Sequence, residues 1–264
     1  REINLAAKTH DKFIAEYLGD IIFLYNASDA TKIPLRQKPL KVEKEKKPKE
    51  KRGRPKKSEI REPIKPTILA QQKDMQTTQE MLSLISKECG VGIKQNSKGN
   101  REVWIGGKLH ISTVDGDIPI TAIYSSANVH DSSVALPLIG ETSKKINYLY
   151  DLQDAGYDAD IIRDFSKQHG HCPIIDINPK NSSVLREKIQ LQEDEKKKFE
   201  FFGLRELSDT HHYNQRSMVE RVNKYLKDDF GCDKIYYQGA TKVASVLAFG
   251  ILCICIHQSL KMIT

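Results

Sequence analysis

Tyr213, Arg216, Glu220 and Lys227 place a phenol, a carboxylate and two cations at spacings that a helix would gather on one side. The run 213–227 has no Gly or Pro, and its polar and apolar residues separate at helical period, which predicts one continuous helix. At about 100° per residue, with Tyr213 at zero, Arg216 falls near −60°, Glu220 near −20° and Lys227 near −40°, so the four share an arc of about 60°. Met218, Val219, Val222, Tyr225 and Leu226 spread over roughly 120° to 240° and give the helix an apolar back to set on a core. The front is free for chemistry. The plainer reading is a ladder of i,i+4 ion pairs through Arg216, Glu220 and Lys224 on a solvated face, each contributing about 0.2–0.5 kcal/mol.

The spacing Tyr-x2-Arg-x3-Glu-x6-Lys resembles the signature helix of the DDE transposases of bacterial insertion sequences. The resemblance implies that Glu220 is the third of three metal-binding carboxylates. It also implies that Arg216 and Lys227 hold DNA phosphates and that Tyr213 holds a phosphate or a base. Two further carboxylates are then required, each at a strand end. Asp29, after the apolar run 21–25, and Asp154, after 147–152, are the candidates, although an Asp in such a place is commonly a turn or cap residue. The phrase Asp29-Ala-Thr-Lys32 resembles the family's first-Asp motif, and 126–133 resembles its strand-to-helix junction. If the resemblance holds, Asp29, Asp154 and Glu220 carry two Mg2+ or Mn2+ ions. The reaction is then metal-dependent DNA cleavage and strand transfer: water releases a 3′-hydroxyl, which attacks target DNA.

The elements that must position these residues read as an α/β fold. A helix over 1–19 leads into a buried strand, 21–25. A helix is expected over 75–87, then a hairpin of 102–114 and 118–124 around the turn Asp115-Gly116-Asp117. Strands at 147–152 and 173–177 alternate with helices, and an apolar helix over 242–261 closes the core. The expectation is a ribonuclease H-like mixed sheet, three antiparallel strands plus two further strands, flanked by helices, with a basic linker inserted after the first strand. It divides into 1–34, 35–98 for the insertion and 99–264 for the remainder of the catalytic domain. Among the acids near the fourth strand, Asp154 occupies its exit, beside Ala155 and Gly156. Asp151 reads as a solvated or edge residue, and Asp158 and Asp160 as helix-start residues. His110 reads as a half-buried strand histidine and Asp131 as a helix cap, with Ser132 the alternative.

With 39% hydrophobic residues in 264, the chain can bury a substantial core. The net charge of +7 is concentrated in 36–57, which holds 12 basic residues against three Glu, so the other residues sum to −2. A charge run of that kind implies a polyanion partner or a solvated linker. Within it Arg52-Gly53-Arg54-Pro55 resembles an AT-hook, in which Arg side chains enter the narrow minor groove of A·T tracts. Five cysteines without a Cys-x-x-Cys pair indicate neither a disulfide framework nor a zinc site and fit a reducing cytosol. The longest apolar run, 243–256, falls short of the roughly 20 residues that span a bilayer and reads as a buried helix. The chain opens on Arg1, with no initiator Met, and so reads as a piece of something longer; no end-recognition domain precedes the first strand. Expected partners are DNA, as element ends and target, and a second copy of the chain when assembled on DNA; the expected location is the cytoplasm, associated with the nucleoid. Two other classes stay open: an inactive remnant that only binds DNA, and a nuclease of the same fold that cuts without joining.

Overall fold

The computed structural model describes residues 4–39, 66–95, 99–179, 182–201 and 208–263. Helix α1 (Leu5–Tyr17), started by an Asn4 side chain that accepts the Ala7 N–H, leads into strand β1 (Ile22–Pro34). Short helices α2 (Ile68–Gln72) and α3 (Thr78–Ser83) follow, and a capping box of Thr77 and Glu80 satisfies free N–H groups at the start of α3. Next come β2 (Gly90–Gln95), β3 (Arg101–Val114), β4 (Ile118–Ser126), α4 (Ser132–Ser143) and β5 (Asn147–Gln153). A 3-10 turn at Ala155–Tyr157, α5 (Asp160–Gln168) and β6 (Cys172–Ile175) complete the α/β part. The last helices are α6 (Ser183–Phe201), α7 (Ser208–Asn214), α8 (Ser217–Asp228) and α9 (Ala240–Ile263).

The strands form one sheet in the order β2-β3-β1-β5-β6, with β4 also paired to β3. β1 lies antiparallel to β3 and parallel to β5; β5 and β6 are parallel, and β2 and β4 run antiparallel to β3. This is the ribonuclease H-like mixed sheet that the sequence predicts, with β2 as an additional strand. The predicted hairpin is β3–β4, turned at Gly116 (φ 80°) and Asp117 (φ 61°).

Three elements differ from their sequence expectation. The helix expected over 75–87 is only Thr78–Ser83, because the chain must turn into β2. β1 does not stop at Tyr25 but runs to Pro34, so Asp29 lies inside a strand and not beyond its end. Within its polar stretch the buried Asn26 is satisfied by long-range partners: the Ser112 hydroxyl donates to it, and Asn26 Nδ2 donates to Asp151 at 3.2 Å. Asp151 itself is fully buried, not solvated, and also accepts from Ser166 Oγ at 2.8 Å and Gln153 Nε2 at 3.3 Å. Finally, 213–227 is two helices. Between α7 and α8 the bonds Gln215 to His212 and Arg216 to Tyr213 span three residues instead of four.

The core lies on both faces of the sheet. Ala27, Ile33, Leu109, Ile111 and Leu152 pack with Met218, Val222 and Leu226 of α8 and with Val243, Leu247 and Ile251 of α9. A second cluster joins Ala135, Leu136 and Ile139 of α4 to Met81, Tyr157 and Ile162. α9 is long and apolar enough to cross a membrane by length and composition, but it packs on α1, β4 and α8, with Leu247, Ile251 and Cys255 nearly inaccessible. Half of that apolar stretch is buried, while Phe249, Leu260 and Met262 of α9 are more than half exposed.

β3 bends sharply. Lys108 is the register partner of Lys32, yet Lys32 Nζ contacts Glu102 at 2.7 Å, six residues earlier in β3, which a straight strand would place about 20 Å away. Gly106 lies between them at φ 150°, and a Cβ there would stand 2.1 Å from the Ile33 carbonyl oxygen. Only glycine fits that position. The bend turns β2 toward the middle of β1, near enough for the Lys94 charge to act on Asp29.

Candidate functional site

Parallel pairing of β1 with β5 sets the site. The register Ser28↔Gln153, continued by one residue, brings Asp154 beside Asp29 where β5 ends and β1 goes on. Alternation turns Asp29 to the same face as Ala27 and Thr31, the face that α8 covers. Burial, and then the charge of Asp154, raise the Asp29 carboxyl to about 6, against the pull of Arg216 and Lys94. Asp154 Oδ1 accepts the Gly156 N–H at 2.9 Å, which closes the turn after β5. It is thus a turn residue and a neighbour of Asp29 at once.

Arg216 joins the acids across the gap between the sheet and α8. It stands at the start of α8, donates to Glu220 Oε1 at 2.7 Å, and lies 5.7 Å from the centre of the Tyr213 ring. Its charge also acts on Asp29 and Asp154. Tyr213, Arg216 and Glu220 are therefore neighbours as predicted, although the helix breaks between the first two. Glu220 is exposed and turned toward Arg216. Lys227, two turns on, donates to the Thr31 hydroxyl; burial, and then the charge of Lys32, lower its pKa.

Two residues near the pair are not among the sequence-predicted site residues. Asn223, one turn beyond Glu220, is buried and donates from Nδ2 to Asp29 Oδ2 at 3.4 Å. Its position three residues from Glu220 on an i,i+3 face was the available hint. Tyr157 is fully buried below the site, with no hydrogen-bond partner for its hydroxyl among the described residues; burial, followed by the charges of Asp131, Asp29 and Asp154, raises its pKa well above the usual phenol value.

The other candidates are held by contacts within the fold. His110 is fully buried and not half-buried as expected, with Nε2 2.8 Å from Ser125 Oγ, and desolvation lowers its pKa to about 4, so it is neutral. Asp131 stands at the head of α4 but makes no side-chain cap; it pairs with Lys108 at 2.8 Å. Asp158 binds Arg163 at 2.6 Å and accepts the Asn178 N–H. The AT-hook-like residues Arg52, Gly53, Arg54 and Pro55 lie outside the described residues.

Among the described residues, no set of three or more His, Cys, Asp or Glu side chains is gathered closely enough to hold a metal ion. What the fold gathers is a pair of carboxylates on adjacent strands, with Glu220 linked to them through Arg216. Asp29 has no ion-pair partner among the described residues, and burial, more than the neighbouring acid, raises its carboxyl. The carboxylate oxygens of the pair are donors of the hard type that divalent cations take.

Comparison with known families finds one match over most of the chain: a family model described as Transposase DDE domain covers residues 27–256. Neither a curated protein nor a solved structure matches.

Proposed function

Because the chain belongs to the transposase DDE domain family, we propose that it cuts DNA and joins the cut strand to a target, with Asp29 and Asp154 at the reacting phosphate. The observation that carries this reading is their adjacency across β1 and β5, with Asp29 raised to about 6 and Arg216 shared with Glu220.

Asp29, Asp154 and Glu220 would hold the divalent ions. Mg2+ or Mn2+, when bound, stabilises the attacking and leaving oxygens of an in-line displacement. The chain's own residues orient the substrate. Arg216 presents a planar fork of donors that suits a phosphate better than a lone carboxylate on an exposed helix face. When a phosphate takes Arg216, Glu220 is freed to turn to the two aspartates. Tyr213 stacks against Arg216 and limits its rotation, and Asn223 steadies Asp29 from α8. Lys227, Lys32 and Lys94 surround the next stretch of β1 with positive charge for the flanking backbone.

On this reading the partners are the element ends and the target DNA, with two copies of the chain assembled on them and the work done in the cytoplasm at the nucleoid. Incubating the chain with supercoiled DNA and Mn2+ tests the reading: nicked product is expected, and none in a chelator. Joining of a pre-cut 3′ end to a second DNA separates a transposase from a nuclease. Absence of nicking under all divalent ions would leave only a DNA-binding remnant.

A further inference from the structure

The loop between α8 and α9 leaves two adjacent rings in solvent: Tyr236 is 64% exposed and Tyr237 59%. The loop itself is not loose. Ile235 is buried and pairs with Leu35 at the end of β1, Gln37 Oε1 accepts the Gly239 N–H at 3.0 Å, and Cys232 is buried. Gly231 (φ 64°) and Gly239 (φ 91°) set its two bends. A backbone pinned this firmly could have turned tyrosines inward, yet both remain outside. Arg36 lies over the Tyr236 ring, 4.9 Å from its centre. It is also the first of the 12 basic residues in 36–57.

The position follows from β1. Asp29, Thr31, Ile33 and Leu35 share the α8 face; Lys227 covers Thr31 and Ile235 covers Leu35. From Asp29 to Arg36 is seven residues, roughly 23 Å of extended chain, or about seven nucleotide steps of B-form DNA. A strand with a phosphate at the carboxylates and its backbone along the lysines would reach the rings at that distance.

We propose that Tyr236 and Tyr237, with Arg36, form a stacking platform for unpaired bases of the DNA strand held at Asp29 and Asp154. The inference rests on DNA being the substrate of that pair. Tyrosine faces stack on any base, so the platform is tolerant of sequence, and Arg36 supplies a cation to the adjoining phosphate or ring. Its role is to take up bases freed when the duplex opens beside the cut.

The test uses the purified chain without divalent ion and a duplex bearing a short single-stranded tail that carries a fluorescent adenine analogue quenched by stacking. Wild type should quench the analogue and prefer tailed over blunt duplex. The double variant Tyr236→Ala/Tyr237→Ala should lose the quenching and about tenfold in affinity for the tailed duplex, keep its affinity for the blunt one, and melt like wild type because the rings are exposed. Tyr236→Phe/Tyr237→Phe should retain both signals. A double Ala variant that still quenches, or that weakens on tailed and blunt DNA alike, overturns the platform. If wild type binds and nicks duplex but never quenches the tail, the platform falls and the strand-cutting reading stands; a chain that neither binds nor nicks DNA removes both.

Discussion

Asn223 of α8 sets its side-chain amide 3.4 Å from the carboxylate of Asp29, a contact that spans 194 positions of sequence and ties the signature helix to the central strand. At 3.4 Å this is a long hydrogen bond, so its loss matters for aim more than for folding. Asn223→Ala should slow Mn2+-dependent nicking by about tenfold at saturating DNA with little change in melting temperature. Nicking at the wild-type rate would show that Asp29 needs no support from α8.

Arg216, at the start of α8, reaches Glu220 and also acts on both aspartates. Its pair with the exposed Glu220 contributes little to stability, and the larger effect is expected on DNA. Arg216→Ala should weaken binding and lower the salt slope of the affinity by about one. Arg216→Lys should restore the slope but not the full affinity, since an ammonium lacks the fork. Equal slopes for wild type and Arg216→Ala, measured by titration over a range of salt, would remove Arg216 from the phosphate contacts.

Asp151 makes a pH prediction away from the reacting pair. Burial raises its pKa from 3.8 to about 6, against hydrogen bonds from Ser166, Asn26 and Gln153. The folded state therefore favours the neutral acid, and the stabilising effect of that preference is present below about pH 4 and lost as pH rises through 6. Asp151→Asn cannot ionise. Relative to wild type, the variant should gain roughly 2 kcal/mol between about pH 4 and about pH 7, read by denaturant unfolding at both pH values. A difference that does not change with pH would contradict the burial cost.

Much of this is legible in the sequence. The apolar spacing of Met218, Val219, Val222 and Leu226 defines the buried side of α8, and the β3–β4 hairpin follows from Asp115-Gly116-Asp117 between two apolar runs. The middle of β1, Asn26 to Lys32, is polar and does not read as a strand; nothing local reveals that Ser112 and Asp151 satisfy Asn26. The same blindness made Asp151 look exposed. β2 is short and Gly-rich, and only the bend at Gly106 and pairing with β3 make it a strand. The break falls at Gln215 and Arg216, good helix formers with no Gly or Pro to mark it. Long-range satisfaction and bending carry no periodicity, and that is where local reading ended.

The basic segment allows a prediction from charge alone. Residues 40–57 hold ten Lys and Arg against three Glu. Deleting them should weaken DNA binding and flatten its salt dependence while leaving nicking of saturating DNA intact. An A·T preference that vanishes on Arg54→Ala alone would favour minor-groove insertion over bulk charge. Unchanged affinity and slope would make the segment a spacer.

The most direct measurement compares two aspartates four residues apart. Asp154 lies beside Asp29 at the end of β5, whereas Asp158 is engaged by Arg163 and the Asn178 N–H. In Mn2+-dependent nicking of supercoiled DNA, Asp154→Asn should abolish product and leave DNA binding and melting temperature nearly unchanged. Asp158→Asn should melt slightly earlier and still nick. Nicking retained by Asp154→Asn and lost in Asp158→Asn would contradict the account and move the site from the strand end to the start of α5.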